Sequence, residues 1–177
     1  EYQGYAGDIT RTFPVSGKFS PAQRAVYDIV LESLETSLTL FRPGTSIQDV
    51  TGEVVRIMVC GLVKLGVLQG EVEQLIADNA HRQFFMHGLG HWLGLDVHDV
   101  GAYGVDRSRP LEPGMVITVE PGLYIAPDAD VPAEYRGIGI RIEDNILITE
   151  TGNENLTASV VKNADEIEAL MAAARQS

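Results

Sequence analysis

A histidine-rich segment is the part of this sequence best suited to do chemistry. Three of the four histidines, His87, His91 and His98, fall within residues 87–98. An unpaired imidazole is costly to bury, whereas neutral imidazole is the commonest metal ligand and shuttles protons near neutral pH. The spacing therefore favours a metal site or a proton-transfer site over a purely structural role.

Carboxylates occur at three short apolar or β-type runs of the chain. Asp8 lies inside the first run, and Glu120 and Glu143 follow the other two. A buried carboxylate must be solvated at a rim, paired or bound to a cation. Arg141 and Glu143 face the same side of one predicted strand and could form such a pair. Taken together, carboxylates and imidazoles without a thiolate suit Mn²⁺, Fe²⁺, Co²⁺ or Zn²⁺ and favour the harder ions.

These residues must be held by a mixture of helices and short strands. Apolar periodicity and capping residues predict helices over 21–41, from a cap at Thr45 or Ser46 to 65, over 71–79 and over 165–175. A strand is predicted over 5–15. Runs of β-branched residues between glycines and prolines predict strands over 115–120, 122–125, 138–143 and 145–149. The pattern indicates an α+β fold with an antiparallel or mixed sheet.

Composition limits the possible functions. A chain of 177 residues that is 45% hydrophobic can bury one substantial core, so we expect one domain. The formal net charge of −12 argues against nucleic acid and anionic membranes as partners, because both attract clustered basic residues. No apolar run approaches the roughly 20 residues of a membrane span. The single cysteine, Cys60, permits no disulfide within the chain and favours a reducing, cytoplasmic location.

Four motifs, in order along nearly the whole chain, carry a family resemblance. The chain resembles the metallopeptidases that include methionine aminopeptidase, prolidase and Xaa-Pro aminopeptidase (aminopeptidase P), and most closely the bacterial aminopeptidases P. The motifs occupy residues 7–13, 87–99, 111–122 and 139–144. The resemblance implies the α+β "pita-bread" fold, in which helices back a curved antiparallel sheet whose concave face holds a dinuclear metal centre.

The resemblance also implies a set of metal ligands. Asp8 resembles the carboxylate that bridges both metal ions, and Glu143 resembles the second bridging carboxylate. His91 and Glu120 resemble the ligands of one of the two ions. The implied cofactor is a pair of divalent ions, with Mn²⁺ the first expectation and Co²⁺, Zn²⁺ or Fe²⁺ the alternatives.

Further residues match the substrate-handling positions of the family. His87 resembles an outer-sphere histidine that hydrogen-bonds the substrate near the scissile bond and assists proton transfer. His98 resembles a catalytic-site histidine that lines the pocket for proline. Arg141 and Tyr124 resemble substrate-binding groups, and the alternative is that they only support Glu143 and the sheet.

One ligand of the family has no counterpart in this sequence. The family carries a further aspartate a short distance upstream of the Asp8 position, and that position lies before Glu1. We therefore expect one metal site to be complete and the other to lack its own ligand. We expect residues 1–177 to be a C-terminal catalytic domain, N-terminally truncated, whose first metal-binding aspartate and N-terminal domain are absent, and which can be inactive alone.

The implied activity is that of a metal-dependent exopeptidase. It removes the first residue from peptides that carry proline second, by attack of a hydroxide that bridges the metal ions. The expected partners are such peptides, and the parent enzyme is expected to be a homo-oligomer. The alternatives are a prolidase, which cleaves Xaa-Pro dipeptides, and a catalytically inactive binding module of the same fold. The presence of all four matched ligands counts against the module.

Overall fold

The structure, a computed structural model, describes residues 1–175 of the chain. It contains four α-helices, and the sequence predicted all of them, with ends within a few residues. Their bounds are Pro21–Leu40 (α1), Ile47–Lys64 (α2), Val72–Ala77 (α3) and Ala164–Ala174 (α4). Residues 176 and 177, which the sequence assigns to the same domain, lie outside the described residues.

The two long helices begin at serine caps. The Ser20 hydroxyl accepts a hydrogen bond from the Gln23 amide, and the Gln23 side chain accepts one from the Ser20 amide, which closes a capping box. Ser46, not Thr45, caps α2, and Asp49 completes the same arrangement. The Thr45 hydroxyl instead donates to the Arg42 carbonyl in the preceding turn.

All strand pairs in the described residues are antiparallel, as the sequence pattern allowed. Strands β1, β4 and β5 form one sheet in that order, and β2 pairs with β3. Their bounds are Val116–Val119 (β1), Gly122–Tyr124 (β2), Gly139–Arg141 (β3), Asp144–Ile148 (β4) and Asn153–Asn155 (β5). Val119 lies opposite Asp144, so the end of β1 meets the start of β4.

The predicted strand over 5–15 is wrong. Within it, Thr10 makes one isolated bridge with Glu143, and Tyr5 makes another with Tyr2. Two residues after Thr10, the Thr12 hydroxyl takes the place of a backbone partner, because it donates to the Arg141 carbonyl and accepts from the Arg141 amide. The segment is therefore tied to the end of β3 without a continuous ladder.

Helices α1 and α2 pack together and cover the sheet with one continuous apolar core. The largest fully buried side chains come from both layers: Tyr27, Leu34, Phe41, Met58, Leu62, Leu89, Leu111, Ile117, Leu123, Ile142, Ile146 and Ile148. No helix within residues 1–175 is both long and apolar enough to cross a membrane. The core leaves the ends of β1 and β4 as the place where carboxylates meet.

Candidate metal centre

The four predicted metal ligands converge at the junction of β1 and β4. One ligand atom each from Asp8, His91 and Glu143 lies within 4.8 Å of the others. Glu120 follows β1 directly, and its Oε1 lies 3.6 Å from His91 Nε2. Residues far apart in the sequence thus form one cluster, as the resemblance implied. Their role as ligands stays a prediction.

The backbone around β1 brings the histidine segment to the carboxylates. The Thr118 amide donates to the His91 carbonyl at 2.9 Å, and the Glu120 amide donates to the Leu89 carbonyl at 2.8 Å. Trp92 makes a β-bridge with Ile117. Segment 89–92 therefore runs alongside β1, which places His91 beside Glu120.

His91 has the tautomer that a metal ligand requires. Its Nδ1 lies 2.9 Å from the Trp92 carbonyl oxygen, which can only accept, so Nδ1 carries the proton. In the neutral ring Nε2 then presents a lone pair, 3.4 Å from Asp8 Oδ2 and 3.6 Å from Glu120 Oε1. These separations are close to those between two ligand atoms bonded to one ion at about 2.1 Å. His91 is prepared by its backbone contact to bind a cation.

Glu143 provides the test of whether a cation fits this cluster. Its Oε2 accepts a hydrogen bond of 2.5 Å from the Thr10 hydroxyl, but its Oε1 is buried without any hydrogen-bond partner. Burial, and then the charges of Glu120 and Asp8, raise the pKa of Glu143 to about 7 against the opposing Thr10 hydrogen bond. A divalent cation among these carboxylates would satisfy Oε1 and relieve the repulsion. The residues therefore fit a metal ion.

Arg11 anchors the backbone beneath the cluster, and no local sequence pattern indicates this contact. Its guanidinium donates to the carbonyls of Thr10 at 2.9 Å and Glu143 at 2.6 Å, and to the Asp144 carboxylate at 2.6 Å. It also reaches the carbonyls of residues 160 and 161. We call Arg11, Asp144 and Lys162, whose Nζ lies 2.7 Å from Asp144, the anchor network. It fixes two ligand-bearing segments to each other.

The buried Asp144 carboxylate is fully compensated within the anchor network. Burial alone would raise its pKa, but the hydrogen bonds that it accepts outweigh this and hold the pKa of Asp144 below its ordinary value. The donors are Lys162, Arg11, Asn155 and Thr157. Arg11 and Asp144 belong to motifs already recognised, yet only the tertiary structure shows that they pair.

The predicted catalytic and substrate-binding residues surround the cluster. His87 Nδ1 lies 2.8 Å from the Gly88 carbonyl and its Nε2 lies 2.8 Å from the Tyr124 hydroxyl, whose pKa is raised by burial. The exposed His98 packs its ring edge-on against His91, 4.4 Å between centroids. Arg141 donates to the Thr10 hydroxyl at 3.1 Å and so reaches Glu143 indirectly rather than as a direct ion pair.

An open cleft of about 430 Å³ lies over the cluster, and two of its residues were not foreseen. The Tyr103 hydroxyl accepts from the Trp92 amide at 3.0 Å, and the two rings stack at 5.3 Å. The Arg107 guanidinium lies 4.7 Å above the Tyr103 ring and donates to the Gly90 carbonyl. No local pattern marks either residue in the sequence. Both lie in a loop whose path is set by these contacts.

Comparison with known proteins extends this picture. Residues 1–150 match the model of Metallopeptidase family M24. The chain is 81% identical to Xaa-Pro aminopeptidase of Escherichia coli over 99% of its own length and 40% of that protein. It is 61% identical to Xaa-Pro aminopeptidase of Haemophilus influenzae over 97% of its length and 40% of that protein. The chain thus spans about two fifths of the relatives that it matches.

Solved structures agree with the sequence comparison. E. coli aminopeptidase P with the inhibitor Pro-Leu superposes with a TM-score of 0.99 at 81% identity, over all of this chain and 40% of that one. Zinc-substituted E. coli aminopeptidase P in complex with product gives the same values. The expected pita-bread architecture is therefore confirmed for the described residues. Motif order, clustered ligands and overall similarity together establish that the chain belongs to Metallopeptidase family M24.

Proposed function

We propose that this chain carries the metal centre of an Xaa-Pro aminopeptidase, which removes the first residue from peptides with proline second. The observation that carries the proposal is the cluster of Asp8, His91 and Glu143 around the unsatisfied Glu143 Oε1. The names of the relatives at 81% and 61% identity support the reaction. Because the chain covers 40% of their length, the activity is proposed for the whole enzyme.

Asp8, His91, Glu120 and Glu143 would hold the metal. A divalent ion bound there supplies Lewis-acid polarisation of the scissile carbonyl and activation of water near neutral pH. We propose manganese as the native ion, because three carboxylates and one imidazole favour a harder cation. Asp8 and Glu143 are proposed to be shared with a second ion.

His87 is proposed to move a proton during cleavage. Its Nδ1 proton is held by the Gly88 carbonyl, so Nε2 is the atom that can accept a proton and release it again. Tyr124 fixes the direction of Nε2. In the full-length enzyme, His87→Ala should lower turnover by about two orders of magnitude and leave metal content unchanged. Loss of metal in this variant would contradict a role outside the ligand set.

Substrate binding is assigned to the cleft. His98 is proposed to line the proline pocket, and Arg141 is proposed to bind the peptide. Tyr124 is proposed to position His87 through the contact between its hydroxyl and His87 Nε2. The prolidase alternative and the inactive-module alternative are not favoured, since the relatives carry the name Xaa-Pro aminopeptidase and the ligand cluster is complete enough to fit a cation.

The remaining proposals concern the parent enzyme. We propose that residues 1–177 are one catalytic domain of a longer, homo-oligomeric and cytoplasmic protein. The coverage of 40% of the relatives supports the greater length, and the single cysteine supports a reducing location. Size-exclusion chromatography of the full-length enzyme with light scattering tests the oligomer.

The decisive experiment compares three peptide classes on the Mn²⁺-loaded full-length enzyme. Xaa-Pro-Yaa tripeptides should lose Xaa, Xaa-Ala-Yaa controls should be cut far more slowly, and Xaa-Pro dipeptides should be poor substrates. Exclusive cleavage of dipeptides would make the protein a prolidase. Absence of cleavage in all three classes, with metal bound, would support the binding module.

A further inference from the structure

A second pocket lies next to His87 and borders the cleft. It has a volume of about 370 Å³ and shares His87 and Gly88 with the cleft that covers the metal ligands. Its other lining residues come from α2 and from the segment just before the histidines: Thr51, Val55, His81, Arg82, Phe85 and Met86. This pocket, which we call the His87 side pocket, therefore adjoins the cleft at His87 and Gly88.

The His87 side pocket contains one permanent charge, and that charge is positive. None of its eight lining residues is acidic, although acidic residues outnumber basic ones by 25 to 13 in the chain. Arg82 lies on the exposed side of the pocket. Within residues 1–175, Arg82 and Arg42 are the two arginines whose guanidinium groups make neither an ion pair nor a hydrogen bond, and Arg42 lies in the turn after α1.

The rest of the lining suits a short peptide segment. Val55, Phe85 and Met86 form an apolar wall, and Met86 is 59% exposed. An apolar wall with one unpaired guanidinium fits a residue that has a compact body and a carboxylate. The free amino group of a substrate is positive and is repelled by Arg82, so the downstream part of the peptide is the part that this pocket can accept.

We propose that the His87 side pocket binds a carboxylate of the downstream part of the peptide substrate through Arg82. The inference rests on the proposed function, since it adds a subsite to the same cleft. The carboxylate is either an acidic side chain after the proline or the carboxyl terminus of a short peptide. Arg82 thereby favours peptides with an acidic residue in the third position from the amino end or beyond.

Product-like peptides test the inference without catalysis. Binding of Pro-Leu-Asp-amide, Pro-Leu-Asn-amide and Pro-Leu-Asn with a free carboxylate to the Mn²⁺-loaded full-length enzyme is measured by calorimetry. The acidic side chain should improve affinity over the neutral amide about fivefold, the effect of one partly exposed ion pair. The third peptide shows whether a terminal carboxylate has the same effect. The preference should weaken as salt is added.

Two variants attribute the preference to Arg82. Arg82→Ala should abolish it and Arg82→Glu should reverse it, with unchanged binding of the neutral amide. The matched control Arg42→Ala removes the same unpaired charge from the turn after α1 and should keep the preference in full. Equal binding of all three peptides to wild type, or a preference that survives in Arg82→Ala, would overturn the inference alone. Failure of every peptide to bind would overturn it together with the proposed function.

Discussion

The segments that carry the predicted metal ligands and the loop that borders the cleft are held by different kinds of contact. Beneath the ligands, the anchor network joins residues 10–11, 143–144 and 160–162 through one guanidinium and a fully buried carboxylate. In the bordering loop, residues 95–109, Val100 is 86% exposed and Val105 is 80% exposed, and Tyr103 and Arg107 are among the residues that contact the histidine segment. The segments of the predicted ligands are thus joined by buried charged contacts, whereas the loop at the cleft is largely exposed.

Replacing one arginine by methionine in each region should give the largest difference in the free energy of unfolding. Arg11→Met should lower the free energy of unfolding by about 3 kcal/mol, because it removes the partner of a buried charge. Arg107→Met should cost about 1 to 2 kcal/mol, since it loses a half-exposed contact with one aromatic ring and a hydrogen bond to the Gly90 carbonyl. Urea denaturation of the metal-free chain measures both. Equal losses would show that the loop is anchored as firmly as the ligand segments.

Replacing His91 and replacing His98 should affect metal affinity very differently. His91→Ala should weaken Mn²⁺ binding by about a hundredfold or more. Loss of a residue that only hydrogen-bonds a metal ligand costs about 10- to 100-fold, and loss of a ligand itself should cost at least as much. His98→Ala removes the ring that packs against His91 and should keep binding within severalfold. Titration calorimetry of the chain should give one tight site for wild type, formed by the single cluster found in residues 1–175. Two equally tight sites would contradict this.

The pH dependence of stability in the metal-free chain tests whether the pKa of Glu143 is raised inside the cluster. Glu143 has a pKa of about 7 in the folded state and an ordinary carboxyl pKa when unfolded, so the folded state binds more protons between those values. Its contribution to stability is therefore present at low pH and lost as the pH rises through 7. Thermal melts should show wild type losing at least about 1.4 kcal/mol more than Glu143→Gln between pH 5 and 8. Added Mn²⁺ at pH 8 should stabilise wild type and not this variant.

The smallest effect is expected where the loop is most exposed. Val105→Ala should change the free energy of unfolding by less than about 0.5 kcal/mol, as is usual for surface positions. The matched change Val119→Ala, in the fully buried strand β1, should cost about 2 kcal/mol. A large effect at Val105 would indicate that another surface covers the loop in solution.

Prediction from the sequence succeeded where local pattern determines the outcome. The family motifs implied that Asp8, His91 and Glu143 lie together, and the structure brings them into one cluster, while their role as ligands stays a prediction. The helices were found because capping residues and apolar periodicity agree over many positions. Strand β5 was missed because Asn153–Asn155 has no apolar alternation, and it forms only by pairing with β4.

Prediction failed where the backbone conformation depends on side-chain contacts between residues far apart in the sequence. The segment 5–15 has the composition of a strand, yet Thr12 and Arg11 occupy the backbone groups that a ladder would use. Asp106 and Arg107 adopt positive φ values of 50° and 62° although neither is a glycine, so the sequence does not indicate this conformation. Contacts of Tyr103 and Arg107 with the histidine segment hold that loop, and no short window contains both partners.

The hydrogen bond from Thr10 to Glu143 has a consequence for synthesis on the ribosome. The two residues are 133 positions apart, and Thr10 forms a β-bridge with Glu143. At about 5 to 20 residues per second, roughly 7 to 27 s pass between the synthesis of one and the other. Throughout that time the Asp8 carboxylate is made but has no cluster to join. On the proposed ligand set, capture of a metal ion is therefore a late event in the synthesis of the chain, because it must await Glu143.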